Sequence, residues 1–418
     1  MVALKTSPSD YSRTVAKEPR IYLRNRYFEE NPVDSPQGTS LIARPGRRWY
    51  QDVGTGPIRA VFEAPGAFDE LFVVSGLFLY SIDPITDTAT NLGQISNDTT
   101  GSPSLAATAA IGAGTPPHLY VCDGTVLYCY TKNGYAKGHL TATAVANNDT
   151  VEINGTYYKF TSGAVDTGTP AGTSGAPWLV KLGATAADSI DALAKAINDS
   201  GINGTDYSTL VTAHKTVTAY NWSGGDLYVN AKVSGVAGNG YTTTETGAGT
   251  AWGGSTLSGG GTASLLQIRT PDEVGAISVA HINSFIIVVP RQNVDINGRF
   301  YYINPGNITI DPLDYATAER SPDPILQCLV FSDQIWFCGE TTAEVWITTG
   351  NVDLPFQRFS GMLFDRGVVQ GTAVQVKDTL MFVDNDGAVF MAKGGLKKVS
   401  RPDIEERIRL SIQALLAS

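Results

Sequence analysis

One pattern recurs along this chain and limits what it can fold into: two short apolar strands joined by a tight reversal. Leu71 to Asp83 reads LFVVSGLFLYSID around Ser75-Gly76, and Leu119 to Thr131 reads LYVCDGTVLYCYT around Asp123-Gly124. Residues that tolerate positive φ close such hairpins, and the β-branched and aromatic residues on either side suit a pleated strand. The pattern resumes from Phe285 to Asn304 as FIIVVPRQNVDINGRFYYIN, with a longer loop between the strands. It recurs as IWFCGETTAEVWITT (Ile335 to Thr349) and as LMFVDNDGAVFMAK (Leu380 to Lys393), where Asp386-Gly387 is the reversal. Each copy follows a further short apolar strand, beginning at Ala60, Ser104, Ala276, Ile325 and Gly371.

A unit of three or four antiparallel strands cannot bury both faces alone. Repeated roughly every 45 residues, it is the pattern of a β-propeller blade. The sequence therefore predicts a mainly β fold, a propeller of six blades, complete or incomplete, whose sixth is completed by strands from the two ends of the chain. A pair of β-sandwiches satisfies the same strand spacing. The 44 glycines and the sparse charge, 17% of residues, agree with strands and turns.

The repeat is interrupted over residues 140–262 by a segment rich in Gly, Thr and Ala. It carries the strands TVEINGTYYKF (Thr150 to Phe160), TVTAYNW (Thr216 to Trp222) and DLYVNAKV (Asp226 to Val233). Between them SIDALAKAIN, from Ser189 to Asn198, places Ile190, Leu193, Ala194 and Ile197 on one helical face, with Asp188 as the expected N-cap. This reads as a small inserted α+β domain. At the C-terminal end Ser400 is placed to cap a helix with Asp403 at its third position, Ile404, Ile408, Ile412 and Leu415 along one stripe, and Glu405 facing Arg409. Docking on its own domain is the expected use of such a terminal helix. The predicted division is an N-terminal arm over 1–59, partly joining the propeller, blades over 60–139, the insert over 140–262, blades over 263–400, and the C-terminal helix over 401–418.

Chemistry is hard to find. No G-x-x-x-x-G-K-[ST] and no G-x-G-x-x-G between a strand and a helix is present, and the run from Gly247 to Gly253 has the wrong spacing and reads as a loop. There is no G-x-S-x-G or H-E-x-x-H, and the four histidines, His118, His139, His214 and His281, belong to no motif. Asp384-Asn385-Asp386-Gly387 lacks the spacing and closing Glu of a calcium loop and reads as a hairpin turn. Cys122, Cys129, Cys328 and Cys338 lie in apolar strands without C-x-x-C spacing and read as buried free thiols. No catalytic, cofactor-binding or metal residue is assigned, and no cofactor is expected.

Two features leave room for recognition. Propellers also host glycosidases, which need facing carboxylates, and Trp178, Trp222 and Trp252 in the insert could stack on sugar rings or fill its core. Arg20, Arg24, Arg26, Arg44, Arg47, Arg48 and Arg59 concentrate near the N-terminus, either to meet a partner's carboxylates or phosphates or as a solvated face relieved by Glu29, Glu30, Asp34 and Asp52. The net charge of −10 argues against a protein that grips nucleic acid over a broad surface, though it suits a wall past which DNA slides. The N-terminus lacks a signal peptide's apolar region, so synthesis in a reducing cytoplasm is expected.

The segment from Glu319 to Ile412 resembles the packaged-DNA stabilisation, or tail-nozzle, proteins of short-tailed bacteriophages. The resemblance rests on ERSPDPI (Glu319 to Ile325), TTAEVWITTGN (Thr341 to Asn351), FQRFSGMLFDRGVV (Phe356 to Val369), VDNDGAVF (Val383 to Phe390) and VSRPDIEERI (Val399 to Ile408). YLRNRYFEENP (Tyr22 to Pro32) and LIARPGRRWY (Leu41 to Tyr50) extend it to the N-terminal part. The insert separately resembles a domain of phage tail and capsid-associated proteins, through VEINGTYYKF, DALAKAIN, AHKTVTA, VSGVAGNGYTTTET and TLSGGG. The resemblance implies a virion tail protein made in the host cytoplasm. It would form a hexameric ring below the portal adaptor ring, dock a tail needle or plug, adjoin fibres or tailspikes, and enclose genomic DNA without reading its sequence. The alternative is a propeller that binds or degrades host glycans, and a third reading has the insert alone binding host sugar while the propeller assembles.

Overall fold

Five four-stranded sheets are built from the five strand-pair repeats. The computed structural model describes residues 26–30, 39–43, 50–97, 99, 101–111, 115–166, 168–222, 225–318, 323–351, 355–392 and 395–416. These fall into a larger unit, Val53–Phe337 with Glu344–Gly361, and a smaller one, Met1–Asp52 with Cys338–Ala343 and Met362–Ser418.

In the larger unit, sheet one takes its strands in chain order from Ile58–Glu63, Leu71–Ser75, Phe78–Asp83 and Thr88–Gln94. Sheet two is Ser104–Thr108, His118–Cys122, Leu127–Thr131 and, after the insert, Ser264–Ile268. Sheet three is Ala276–Ile282, Phe285–Pro290, Arg299–Ile303 and Tyr315–Thr317, and sheet four Ile325–Phe331, Gln334–Gly339, Ala343–Thr348 and Phe356–Phe364. The turns that open sheets three and four use no glycine. Asn283 and Ser284 have φ of 47° and 69°, and Ser332 and Asp333 52° and 56°, the doubly positive backbone that matches strand twist.

Alternation along the strands divides sheets two and three each between two cores. Leu119 and Val121 pack with Phe72, Val74 and Leu79 of sheet one, while their neighbours Tyr120 and Cys122 pack with Val279, Ile286, Val288 and Tyr301 of sheet three. The other face of sheet three, through Ile287, Val289 and Phe300, meets Ile335, Phe337 and Trp346 of sheet four. The rings of Phe300 and Phe337 stack with centroids 4.2 Å apart. Sheets one to four are therefore joined in sequence order by three shared apolar cores, which is how a repeat that cannot bury both faces alone becomes stable.

The insert leaves sheet two between its third and fourth strands. Its sheet A is ordered Val217–Trp222, Asp226–Ser234, Tyr135–Ala142, Thr250–Trp252, and its sheet B Trp178–Lys181, Thr156–Thr161, Thr150–Ile153, Thr243–Glu245. The first strand opens at Tyr135, upstream of the composition change at residue 140, because it pairs with Asp226–Ser234 from Tyr135 onward. Thr250–Trp252 is a strand where the glycines had suggested a loop; pairing with Leu140–Ala142 overrides the local preference. Helix α1 spans Ala186–Asn198. Its N-cap is Thr185, with Asp188 at the third helical position returning a bond to the cap backbone, so Asp188 completes a capping box and is not itself the cap. Ile190, Leu193, Ala194 and Ile197 are buried, as the helical spacing predicts, in the insert's core.

The smaller unit holds the hairpin Arg26–Glu30 with Thr39–Ala43, then sheet five, Val374–Val376, Thr379–Val383, Val389–Ala392 and Leu396–Lys398, and helix α2, Pro402–Leu416. Helix α2 begins at Pro402 and its first amides bond Arg401 O, so Arg401 and not Ser400 stands at the cap position. The Ser400 hydroxyl accepts from Val389 N at 2.9 Å and donates to Glu405 at 2.7 Å, and Lys398 approaches Glu405 at 2.9 Å. Glu405 thus ties the helix to sheet five through Lys398 and Ser400. Gly387 lies against the Glu405 carbonyl, so α2 docks on the second hairpin of its own unit.

Candidate functional site

The polar groups with the most specific placement lie in the seams between sheets. A β-bulge between Ile58 and Ala60 takes Arg59 out of the ladder and turns its side chain toward sheet two. There Nη1 donates to Gly76 O at 3.0 Å, and Nη2 donates to Gly101 O and, at 3.2 Å, to Asp123 Oδ2. Asp123 Oδ1 accepts from the Thr125 hydroxyl at 2.7 Å. One guanidinium thereby holds the turn of its own sheet and the Asp-Gly turn of the next. Gly101 admits no side chain, since a Cβ there would overlap the Asp123 carbonyl oxygen.

The next seams use hydroxyls. Ser104 Oγ, on the first strand of sheet two, accepts from Val279 N at 3.0 Å and donates to Val279 O at 3.2 Å. Ser278 Oγ, on the first strand of sheet three, accepts from Cys328 N at 3.0 Å and donates to Cys328 O at 3.2 Å. Each first strand has a ladder partner on one side only, and the serine of the preceding sheet satisfies the backbone groups left on the other. In the smaller unit Asp384 accepts from the backbone of Asp386 at 3.0 Å and Ala388 at 2.8 Å, closing the hairpin turn that its sequence predicts, and Arg366 lies 3.4 Å from its other oxygen.

Burial disfavours the charged forms of the cysteines and histidines in these cores. It pushes the Cys328 thiol up to about 12 and raises Cys122 and Cys129 as well, so none supplies a thiolate. All four cysteines are buried and free. His118 is 2% exposed, bonds the Tyr135 hydroxyl at 2.7 Å, and is lowered by burial to about 4. His214 lies buried against Ile153 O at 3.0 Å, and burial lowers it and His281 too. Among the described residues no three His, Cys, Asp or Glu stand together as metal ligands. No described helix is long and apolar enough to cross a membrane.

Trp178 and Trp252 are partly buried against the core of the insert; the side chain of Trp222 lies outside the described residues. Arg20, Arg24, Arg44, Arg47, Arg48 and most of ERSPDPI also lie outside them, as does the side chain of Arg26. The serine seams were not legible from sequence, because nothing local distinguishes Ser104 or Ser278 from a solvent-facing strand serine.

Residues 194–416, more than half of the chain, match the model of a phage-stabilisation family described as bacteriophage P22 Gp10, β-propeller. No curated protein matches the chain. Among solved structures, Kluyveromyces lactis Hsv2 is 8% identical over 84% of this chain and 78% of its own, with a TM-score of 0.26. The computationally designed Ika8 protein is 9% identical over 83% and 88%, with a TM-score of 0.24. Superpositions this poor say nothing about fold or function.

Proposed function

The chain belongs to the bacteriophage P22 Gp10 β-propeller family, and from that premise we propose that it is a structural part of a phage tail. It acts as a nozzle or hub ring below the portal adaptor that extends the DNA channel, helps retain the packaged genome and docks other tail proteins. Its protomer is a six-bladed propeller whose sixth blade is completed by strands from the two ends of the chain. Six protomers close a ring, since cyclic symmetry buries every repeated interface. The portal adaptor ring, a needle or plug, and fibres or tailspikes are its partners, and it performs no catalysis.

The packing of sheets one to four supports a rigid wall. Three shared cores join them in a row, and the seam side chains are bonded to one another and to backbone. A net charge of −10 suits a lumen that DNA passes without being gripped. Electron microscopy of the purified chain, alone and with the portal adaptor ring, tests this. Six-fold rings seated on the adaptor are expected, and a chain that stays monomeric at high concentration with the adaptor present overturns the proposal.

A further inference from the structure

Sheet A of the insert has two unlike faces. Leu227, Val229 and Ala231 belong to the insert's core, where α1 packs, and Gly238 of the 3-10 turn approaches Ala136 and Ala231 on that same side. Alternation sends Tyr228, Asn230 and Lys232, and on the next strand Lys137 and His139, to the other face.

On that face His139 and Tyr228 are cross-strand partners whose rings stack 4.4 Å apart at 9°. Beyond His139 the neighbouring position is Gly253, whose amide donates to His139 O at 2.8 Å, and the His139 side chain is 39% exposed. His139 Nε2 has no hydrogen-bond partner, Asp226 being 3.6 Å away.

One row along the strands, about 7 Å away by strand geometry, Thr218, Asn230 and Lys137 stand opposite one another on three strands. Asn230 is 3% exposed and its Oδ1 lacks a partner, as does the Thr218 hydroxyl. Leaving a buried acceptor unpaired is unfavourable, and a ligand hydroxyl would remove that penalty. Burial lowers both Lys137 and Lys232, and no carboxylate offsets it at either. In a chain of net charge −10, two lysines on the same face as an unsatisfied amide, with no carboxylate offsetting their burial, suit an external anion.

We propose that this face of sheet A binds an anionic saccharide, one pyranose ring lying against the His139–Tyr228 stack and its carboxylate or sulfate held between Lys137 and Lys232. Asn230 and Thr218 take the sugar hydroxyls, and Asp226 orients the imidazole. Ring platforms beside amide and hydroxyl groups suit pyranoses, whose C–H faces are apolar and whose rims are polar. The site stands whether or not the protein forms a ring.

Isothermal titration calorimetry of the full chain tests it with three probes: an alginate tetrasaccharide, a κ-carrageenan tetrasaccharide and neutral maltotetraose. Binding of either anionic probe at least tenfold tighter than maltotetraose is expected, and the preferred probe identifies carboxylate or sulfate as the anion. Lys137→Gln and Tyr228→Ala should each weaken binding at least tenfold. Lys232→Gln should weaken it several-fold and flatten its salt dependence. The proposal is overturned if neither anionic probe binds, if maltotetraose binds equally well, or if Lys232→Gln binds as the unaltered chain does.

Discussion

Arg59 and Asp123 face each other at 3.2 Å across the seam between sheets one and two, their side chains 5% and 0% exposed. Removing either partner strands a charge where water does not reach, and breaking such a pair costs about 3–5 kcal/mol. Arg59→Met and Asp123→Ala should each lower unfolding free energy in urea by roughly that amount. The double variant should lose much less than the sum of the two, and strictly additive losses would show that the pair does not act as a unit.

Ser278 supplies both bonds to the Cys328 backbone, and its side chain is 1% exposed. Ser278→Ala leaves a buried N–H and C=O unpaired, at a cost of about 1–3 kcal/mol. Hydrogen exchange at the Cys328 amide should accelerate by one to two orders of magnitude, while amides in α1 keep their protection. Unchanged exchange at Cys328 would remove the serine from the seam.

His118 makes stability depend on pH. Its value falls from 6.5 in the unfolded chain to about 4 in the fold because burial disfavours the imidazolium. Between those values the unfolded chain binds more protons, so the contribution is complete above pH 6.5 and is lost as pH falls toward 4. The full amount is about 3 kcal/mol at 1.36 kcal/mol per unit. The groups against the ring are the Tyr135 hydroxyl and the Tyr120 ring, neither of which charges in this range. In His118→Gln the difference in stability between pH 7 and pH 4 should shrink by that amount, measured by urea titration at both.

Thr185 caps α1 through Asp188 N at 3.1 Å, and Asp188 returns the bond to Thr185 N at 3.0 Å. Thr185→Ala should destabilise the insert by about 1 kcal/mol. Thr185→Ser should restore most of it, as thermal melting of the full chain would reveal.

Local chemistry settled much of this protein in advance. The hairpins at Gly76, Gly124 and Gly387 follow from residues two or three apart, and all three glycines have the positive φ expected of such turns. The buried face of α1 and the burial of all four cysteines follow from alternation and helical period over a few residues. Two adjustments show how far such reasoning reaches. Asp188 was in the right turn of α1 but in the other role of its capping box, and Glu405 reached Lys398 and Ser400, not Arg409 one turn away.

What lay beyond the sequence depends on partners far apart in the chain. Arg59 meets Asp123 at a separation of 64 residues, and Ser104 meets Val279 at 175. No local preference encodes either meeting, because each exists only once the sheets have packed and their free strand edges need donors and acceptors. The face of sheet A joins His139 to Tyr228 and Lys137 to Asn230 for the same reason, since register between strands is set by burying the opposite face. The sequence by itself determined a repeating β scaffold with one interruption. Tertiary structure alone decided which polar groups would be spent on seams and which would be left facing out.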